Sequence, residues 1–136
     1  MTLPVTAFVA AICALLLLVT AIDTVRQRLR VKAAFGDHGD AKLISASRAH
    51  GNLAEYAPIT IILLGLLETA RADHMGLIII GAIFLIGRVA HVIGLYTPSE
   101  PGKAPLGRQV GVLATFGTLL VLGLWTLWML VTQNLG

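Results

Sequence analysis

Charge is scarce in this chain. Asp, Glu, Lys and Arg together make up 12% of its 136 residues, against about 25% in an average soluble domain. That shortage leaves too little polar surface for a water-soluble fold, and a mean hydropathy of +0.86 points the same way. Cysteine occurs once, as Cys13, which excludes a disulfide framework or a cysteine metal cluster and leaves a packed or lipid-facing thiol. The histidines, His38, His50, His74 and His91, are scattered, with no HExxH and no close pair, so no metal site is expected. Repeats and low-complexity stretches are missing as well. The net charge of +3 is a basic fringe that anionic headgroups suffice to explain, and nucleic acid is not implied.

What is present is apolar material in four blocks, each near the roughly 20 residues needed to cross about 30 Å of hydrocarbon. The expected fold is an all-α integral membrane protein, a single four-helix transmembrane domain over residues 1–136. The first helix is expected from about Pro4 to Thr24, with proline suited to a helix start. The second follows "SRAHGNLAEYAP" through "ITIILLGLLETA", the third is "MGLIIIGAIFLIGRVAHVIGLY", and the fourth opens at Pro105 and runs "LGRQVGVLATFGTLLVLGLWTLWMLV". Helix one lacks the basic leader and small-residue cleavage site of a secretory signal, so it is expected to be retained.

Lysine and arginine set the orientation, because short loops rich in them stay in the cytoplasm. Arg26, Arg28, Arg30, Lys32, Lys42 and Arg48 surround the first loop, Lys103 and Arg108 the third, and Arg71 alone the second. Loops one and three are therefore expected in the cytoplasm and both termini on the far side, where Trp125 and Trp128 would join an aromatic belt. Gly107 and Gly111 have the small-xxx-small spacing that lets membrane helices approach closely, which predicts a homotrimer contact at the start of helix four.

Against this apolar background, "SRAHGNLAEYAP" raises a question. At 100° per residue Arg48, Asn52 and Glu55 fall within about a 60° arc flanked by Tyr56, while His50 points the opposite way, toward a neighbouring helix. Helix three supplies Arg88 and His91 in an otherwise apolar run. Counting at 1.5 Å per residue from Ser45 and back from Tyr96, Glu55 lies roughly 15 Å and Arg88 roughly 12 Å from the cytoplasmic helix ends. A charge at such depth costs at least about 2.5 kcal/mol and seeks a partner inside the bundle, so an ion pair between Glu55 and Arg88 is expected, lining a polar pocket open to the cytoplasm. The surplus of cations and donors around that mouth, Arg28, Arg48, Asn52, Tyr56, His91 and Arg108, suggests an anionic, peptide-like ligand. A purely structural ion pair is the alternative.

"RAHGNLAEYAP" and "GRVAHVIGLY" resemble the signature segments of the MAPEG family (membrane-associated proteins in eicosanoid and glutathione metabolism), and "RLRVKAAFGDHGD" resembles the basic exit of helix one in its prostaglandin E synthase branch. The resemblance covers nearly the whole chain and is that of a bacterial-type member of an inner membrane. It implies a four-helix subunit, a homotrimer, and glutathione bound as cosubstrate in clefts between subunits near the cytosolic face. On it, Arg28, Arg48, Asn52, Glu55 and His91 become glutathione contacts, with Tyr56 beside them. Glu55 would receive the amino group and the arginines the carboxylates, which guanidinium forks bind bidentately. Arg88 matches the family's helix-three arginine, and Arg108 best matches the arginine that stabilises the glutathione thiolate, with Lys103 as its competitor. The eicosanoid enzymes carry a tyrosine four residues after the helix-three histidine. This chain has Leu95 there and Tyr96 one place on, about 100° around the helix, and its first cytoplasmic loop is short.

The function this implies is a glutathione-dependent transferase or peroxidase acting on a lipophilic electrophile that arrives through membrane lipid. A non-catalytic lipid-binding or scaffold member of the same fold is the alternative. A small multidrug transporter ranks last, since helix one holds no acid before Asp23.

Overall fold

The computed structural model describes residues 2–99 and 102–134, the last without its side chain. Four helices follow in order: α1 (Pro4–Val31), α2 (Ala41–Thr69), α3 (His74–Tyr96) and α4 (Leu106–Asn134). α1 packs mainly along α2 and α3 along α4, and α2 touches both α3 and α4. Three of them, α1, α3 and α4, are long and apolar enough to cross a membrane. α2 is 29 residues long but carries Lys42, Arg48, Glu55 and Glu68.

The helix ends follow from local chemistry. The first amides of a helix lack intrahelical acceptors, and Asp40 and Asp73 meet that need by accepting from Leu43 N at 2.8 Å and Gly76 N at 2.6 Å. α2 therefore begins at Ala41, earlier than the expected Ser45. α1 runs on past Thr24 to Val31, because the charged stretch supplies its own one-turn pairs. Gln27 Nε2 donates to Asp23 Oδ1 at 3.2 Å and Arg30 Nε to Gln27 Oε1 at 2.8 Å. It ends where Lys32 takes the left-handed conformation, φ 55°.

α1 has no side-chain cap of its own. The carboxylate of Glu68, one residue before the end of α2, accepts from Val5 N at 2.9 Å and Thr6 N at 2.8 Å. An anion is favoured at a helix N-terminus, so Glu68 pins the start of α1 to the end of α2.

The α3–α4 seam is built on glycine. A Cβ at Gly94 would lie 2.2 Å from Arg108 N, one at Gly107 2.7 Å from Ala90 O, and one at Gly111 2.4 Å from His91 Cβ. Gly107 and Gly111 therefore face α3 of their own chain, which corrects the expectation that they form a contact between subunits. By contrast, a Cβ at Gly117 or Gly123 would meet nothing within 4 Å. Of the two tryptophans, Trp125 is partly buried, packing over Gly76, and Trp128 is exposed. Cys13 is packed in the core with Val9, Leu53, Leu64, Phe84 and Leu122.

Candidate functional site

Arg88 is the polar centre of the bundle, 2% exposed. One terminal nitrogen donates to Asn52 Oδ1 at 3.3 Å and the other to the Gly111 carbonyl at 3.0 Å. Its guanidinium carbon lies 5.7 Å from the Tyr56 ring centre and 5.8 Å from that of Phe84. Two oxygens and two aromatic faces hold the cation in a low dielectric, while its buried Nε finds no hydrogen-bond partner. Tyr56 is itself braced edge-on by Phe116, 6.1 Å between ring centres. Arg88 thus ties α3 to α2 and α4 at one level.

Glu55 does not join it. The one ion pair among the described residues is Arg30 with Asp40, so the expected Glu55–Arg88 pair is not formed. The reason is angular: Asn52 and Glu55 are about 60° apart on α2, and the face that turns Asn52 to Arg88 leaves Glu55 exposed. Glu55 instead lines a recess of about 290 Å³ with Arg48, Asn52, Ser47 and Asp37. The sequence pattern had put Arg48, Asn52 and Glu55 on one stripe, and that grouping holds. Its depth partner was misread because an arginine can be satisfied by amide and backbone oxygens as well as by a carboxylate.

Arg28 stands elsewhere. Its guanidinium donates to the Gly36 carbonyl at 3.1 Å and the Ala34 carbonyl at 3.5 Å, holding the loop that carries Asp37. Asp40 closes that loop; the Leu43 amide and then Arg30 hold its carboxyl below the usual range. His91 is 3% exposed and sits in the glycine seam opposite Gly111. His50 faces α1, with Nδ1 3.2 Å from Thr20 Oγ1, as its position on the helix implied.

Tyr96 also faces α1, where its hydroxyl donates to Asp23 Oδ2, on the side to which its one-residue offset turns it. Asp23 was not among the expected site residues. The signal for it was positional: an acid just beyond the apolar run of helix one, at the level where helix three ends.

Arg108, in the first turn of α4, is exposed and lines a cavity of about 770 Å³ with Lys103, Gln109, Val112 and Leu113. Arg88 reaches both Asn52 and Gly111, and Arg48 and Arg108 each lie about one turn from those contacts toward a loop. The α2 recess and the α4 cavity therefore open at the same end of the bundle, but within one chain they share no lining residue. Among the described residues no group of three or more His, Cys, Asp or Glu is placed to hold a metal.

The chain matches the MAPEG family over residues 6–128. It is 37% identical over 124 residues, 91% of both chains, to the protein named inner membrane protein YecN of Escherichia coli strain K12. The protein of the same name from Escherichia coli O6:H1 matches equally, at 37% over the same length. No solved structure matches it significantly.

Proposed function

The chain therefore belongs to the MAPEG family of membrane proteins, and from that premise we propose that it is a glutathione-dependent transferase or peroxidase of a bacterial inner membrane, acting on lipophilic electrophiles. The observation that carries the reading is the α2 recess, in which Arg48, Asn52 and Glu55 present a cation, an amide and a carboxylate side by side. Glutathione offers two carboxylates and one ammonium; Arg48 and the Asn52 amide suit the carboxylates and Glu55 the ammonium, with Asp37 a second acid in the lining. In this reading Arg48 takes a carboxylate and Glu55, unpaired with Arg88, takes the ammonium. The recess, at about 290 Å³, is near the lower end of ligand-sized cavities of about 300–1,000 Å³.

Chemistry then rests on the α4 cavity. A free thiol with a pKa near 8.5 is only a few per cent thiolate at pH 7, and the thiolate is the nucleophile. A guanidinium beside the sulfur lowers that pKa, and each unit corresponds to about 1.36 kcal/mol in favour of the charged form. Arg108 offers the sulfur a planar guanidinium with several N–H donors in a fixed fork, where Lys103 offers a compact, strongly hydrated ammonium on a flexible stem. The thiolate attacks the electrophilic carbon, forming the C–S bond as the leaving group departs with its electron pair.

Because the two recesses share no lining residue within a chain, joining Arg108 to the glutathione of the α2 recess calls for a second subunit. We assign that role to a homotrimer, with α2 crossing the membrane beside the other helices, loops one and three in the cytoplasm, and the site open there. Gly117 and Gly123, open to the outside of the subunit, are available for its helix contacts. Arg28, His91 and Tyr96 act in this scheme through the loop, the seam and α1.

Turnover of a chlorodinitrobenzene by Arg108→Ala tests the assignment. We expect turnover and the ultraviolet thiolate signal to be lost while glutathione still binds. Wild-type turnover in that variant, with loss in Lys103→Ala, would transfer the role to Lys103, and full turnover in both would remove thiolate activation from this cavity.

A further inference from the structure

A third recess lies between α1 and α3, away from both of the others. It encloses about 380 Å³ and is lined by Val19, Ile22, Val92, Asp23, Arg26 and Tyr96 among its residues. We propose that it binds a membrane phospholipid whose headgroup carries a primary ammonium, with the phosphate on Arg26, the ammonium on Asp23 and an acyl chain along the apolar wall.

The level of the recess supports this. Asp23 lies nineteen residues after Pro4, about 29 Å along the helix at 1.5 Å per residue, which is one thickness of the hydrocarbon core. Tyr96 ends α3 at the same level, since its hydroxyl reaches Asp23. The polar end of the recess is thus at the membrane–water boundary. Its apolar end, where Val19 is 63% and Ile22 51% exposed, continues into the acyl region.

The charges fit one class of headgroup. Asp23 accepts from Gln27 and Tyr96, one bond on each oxygen, and a carboxylate offers about four acceptor positions. Neither donor is a cation, so its negative charge is left for an ammonium. Arg26, exposed and in no ion pair among the described residues, lies one turn on. Residues so spaced have Cβ atoms about 5–6 Å apart, a gap that a phosphate and an ammonium joined by two carbons bridge. The tyrosine hydroxyl holds the carboxylate in place, which gives Tyr96 a use outside thiol chemistry. A headgroup with phosphate alone would satisfy Arg26 and meet repulsion from Asp23.

The test is native mass spectrometry of the full chain in mild detergent with equal amounts of phosphatidylethanolamine and phosphatidylglycerol. The wild type should retain the ethanolamine lipid with a several-fold preference. Arg26→Ala should lower occupancy by both lipids, Asp23→Asn should keep binding while abolishing the preference, and Tyr96→Phe, which leaves the carboxylate, should retain it. Soluble phosphoethanolamine should not displace the lipid, because it lacks the acyl chain. A wild type that holds no lipid, one that holds both equally, an Asp23→Asn variant with the preference intact, or displacement by soluble phosphoethanolamine would each overturn the proposal. None of these outcomes depends on glutathione.

Discussion

Adding one methyl group at Gly111 should force α3 and α4 apart at the level where the buried Arg88 is held. The new Cβ would fall 2.4 Å from His91 Cβ, 2.7 Å from the Gly87 carbonyl and 2.8 Å from His91 Cα. Two of those three atoms are backbone, so no side-chain rotation relieves the clash and α3 must move away from α4. That displacement pulls Arg88 from the Gly111 carbonyl, a 3.0 Å bond from a buried cation. Overpacking costs about 1–3 kcal/mol, and the lost bond to a charged donor about 1.5–3 kcal/mol. For Gly111→Ala we therefore expect a loss of roughly 2.5–6 kcal/mol, reduced by the gain of up to about 1 kcal/mol in helix propensity. Gly117→Ala supplies the control, since its Cβ would meet nothing within 4 Å and only the propensity gain remains. Unfolding of both variants in mixed micelles by titration with a denaturing detergent, followed by circular dichroism, measures the difference. Equal stability of the two would refute a glycine seam inside the subunit.

Glu68→Gln replaces a carboxylate that serves two amides with a group having one acceptor oxygen; hydrogen exchange at Val5 and Thr6 should quicken and stability fall by about 1.5–3 kcal/mol. In a stability cycle Arg88→Leu and Asn52→Leu should be non-additive, because the side chains touch, whereas Arg88→Leu and Glu55→Gln should add within about 0.5 kcal/mol. Coupling of the second pair would restore the ion pair. The carboxyl of Asp40 is held low by Leu43 N and Arg30, so its capping contribution is complete above the ordinary carboxylate pKa of about 3.9 and is lost as pH falls through the lowered value. The first turn of α2 should accordingly stay protected at pH 5 and fray in stronger acid, with Asp40→Asn insensitive to that change.

α1, α3 and α4 were legible in the sequence because lipid imposes a length and an apolarity that few other structures share. Their ends were less so: α1 outlasts its apolar run because Asp23, Gln27 and Arg30 support one another along the helix, a local effect that hydropathy does not register. The stripe of Arg48, Asn52 and Glu55 followed from helical spacing alone. The partner of Arg88 did not, because spacing gives the angle between two residues on one helix and says nothing of the rotation of that helix against its neighbour. The same limit misdirected Gly107 and Gly111, whose spacing announces a close contact without saying with which helix. Glu68 was hidden for a different reason, since a cap supplied from 63 residues away leaves no local signature.

Binding of glutathione in the α2 recess is the claim on which the functional account stands. Calorimetric titration of purified protein with glutathione in detergent measures it, with Glu55→Gln in parallel. We expect saturable heat in the wild type and its loss in Glu55→Gln, a variant that should remain folded because Glu55 is exposed and in no ion pair among the described residues. A folded wild type that gives no saturable heat, or a Glu55→Gln variant that binds as the wild type does, would contradict it.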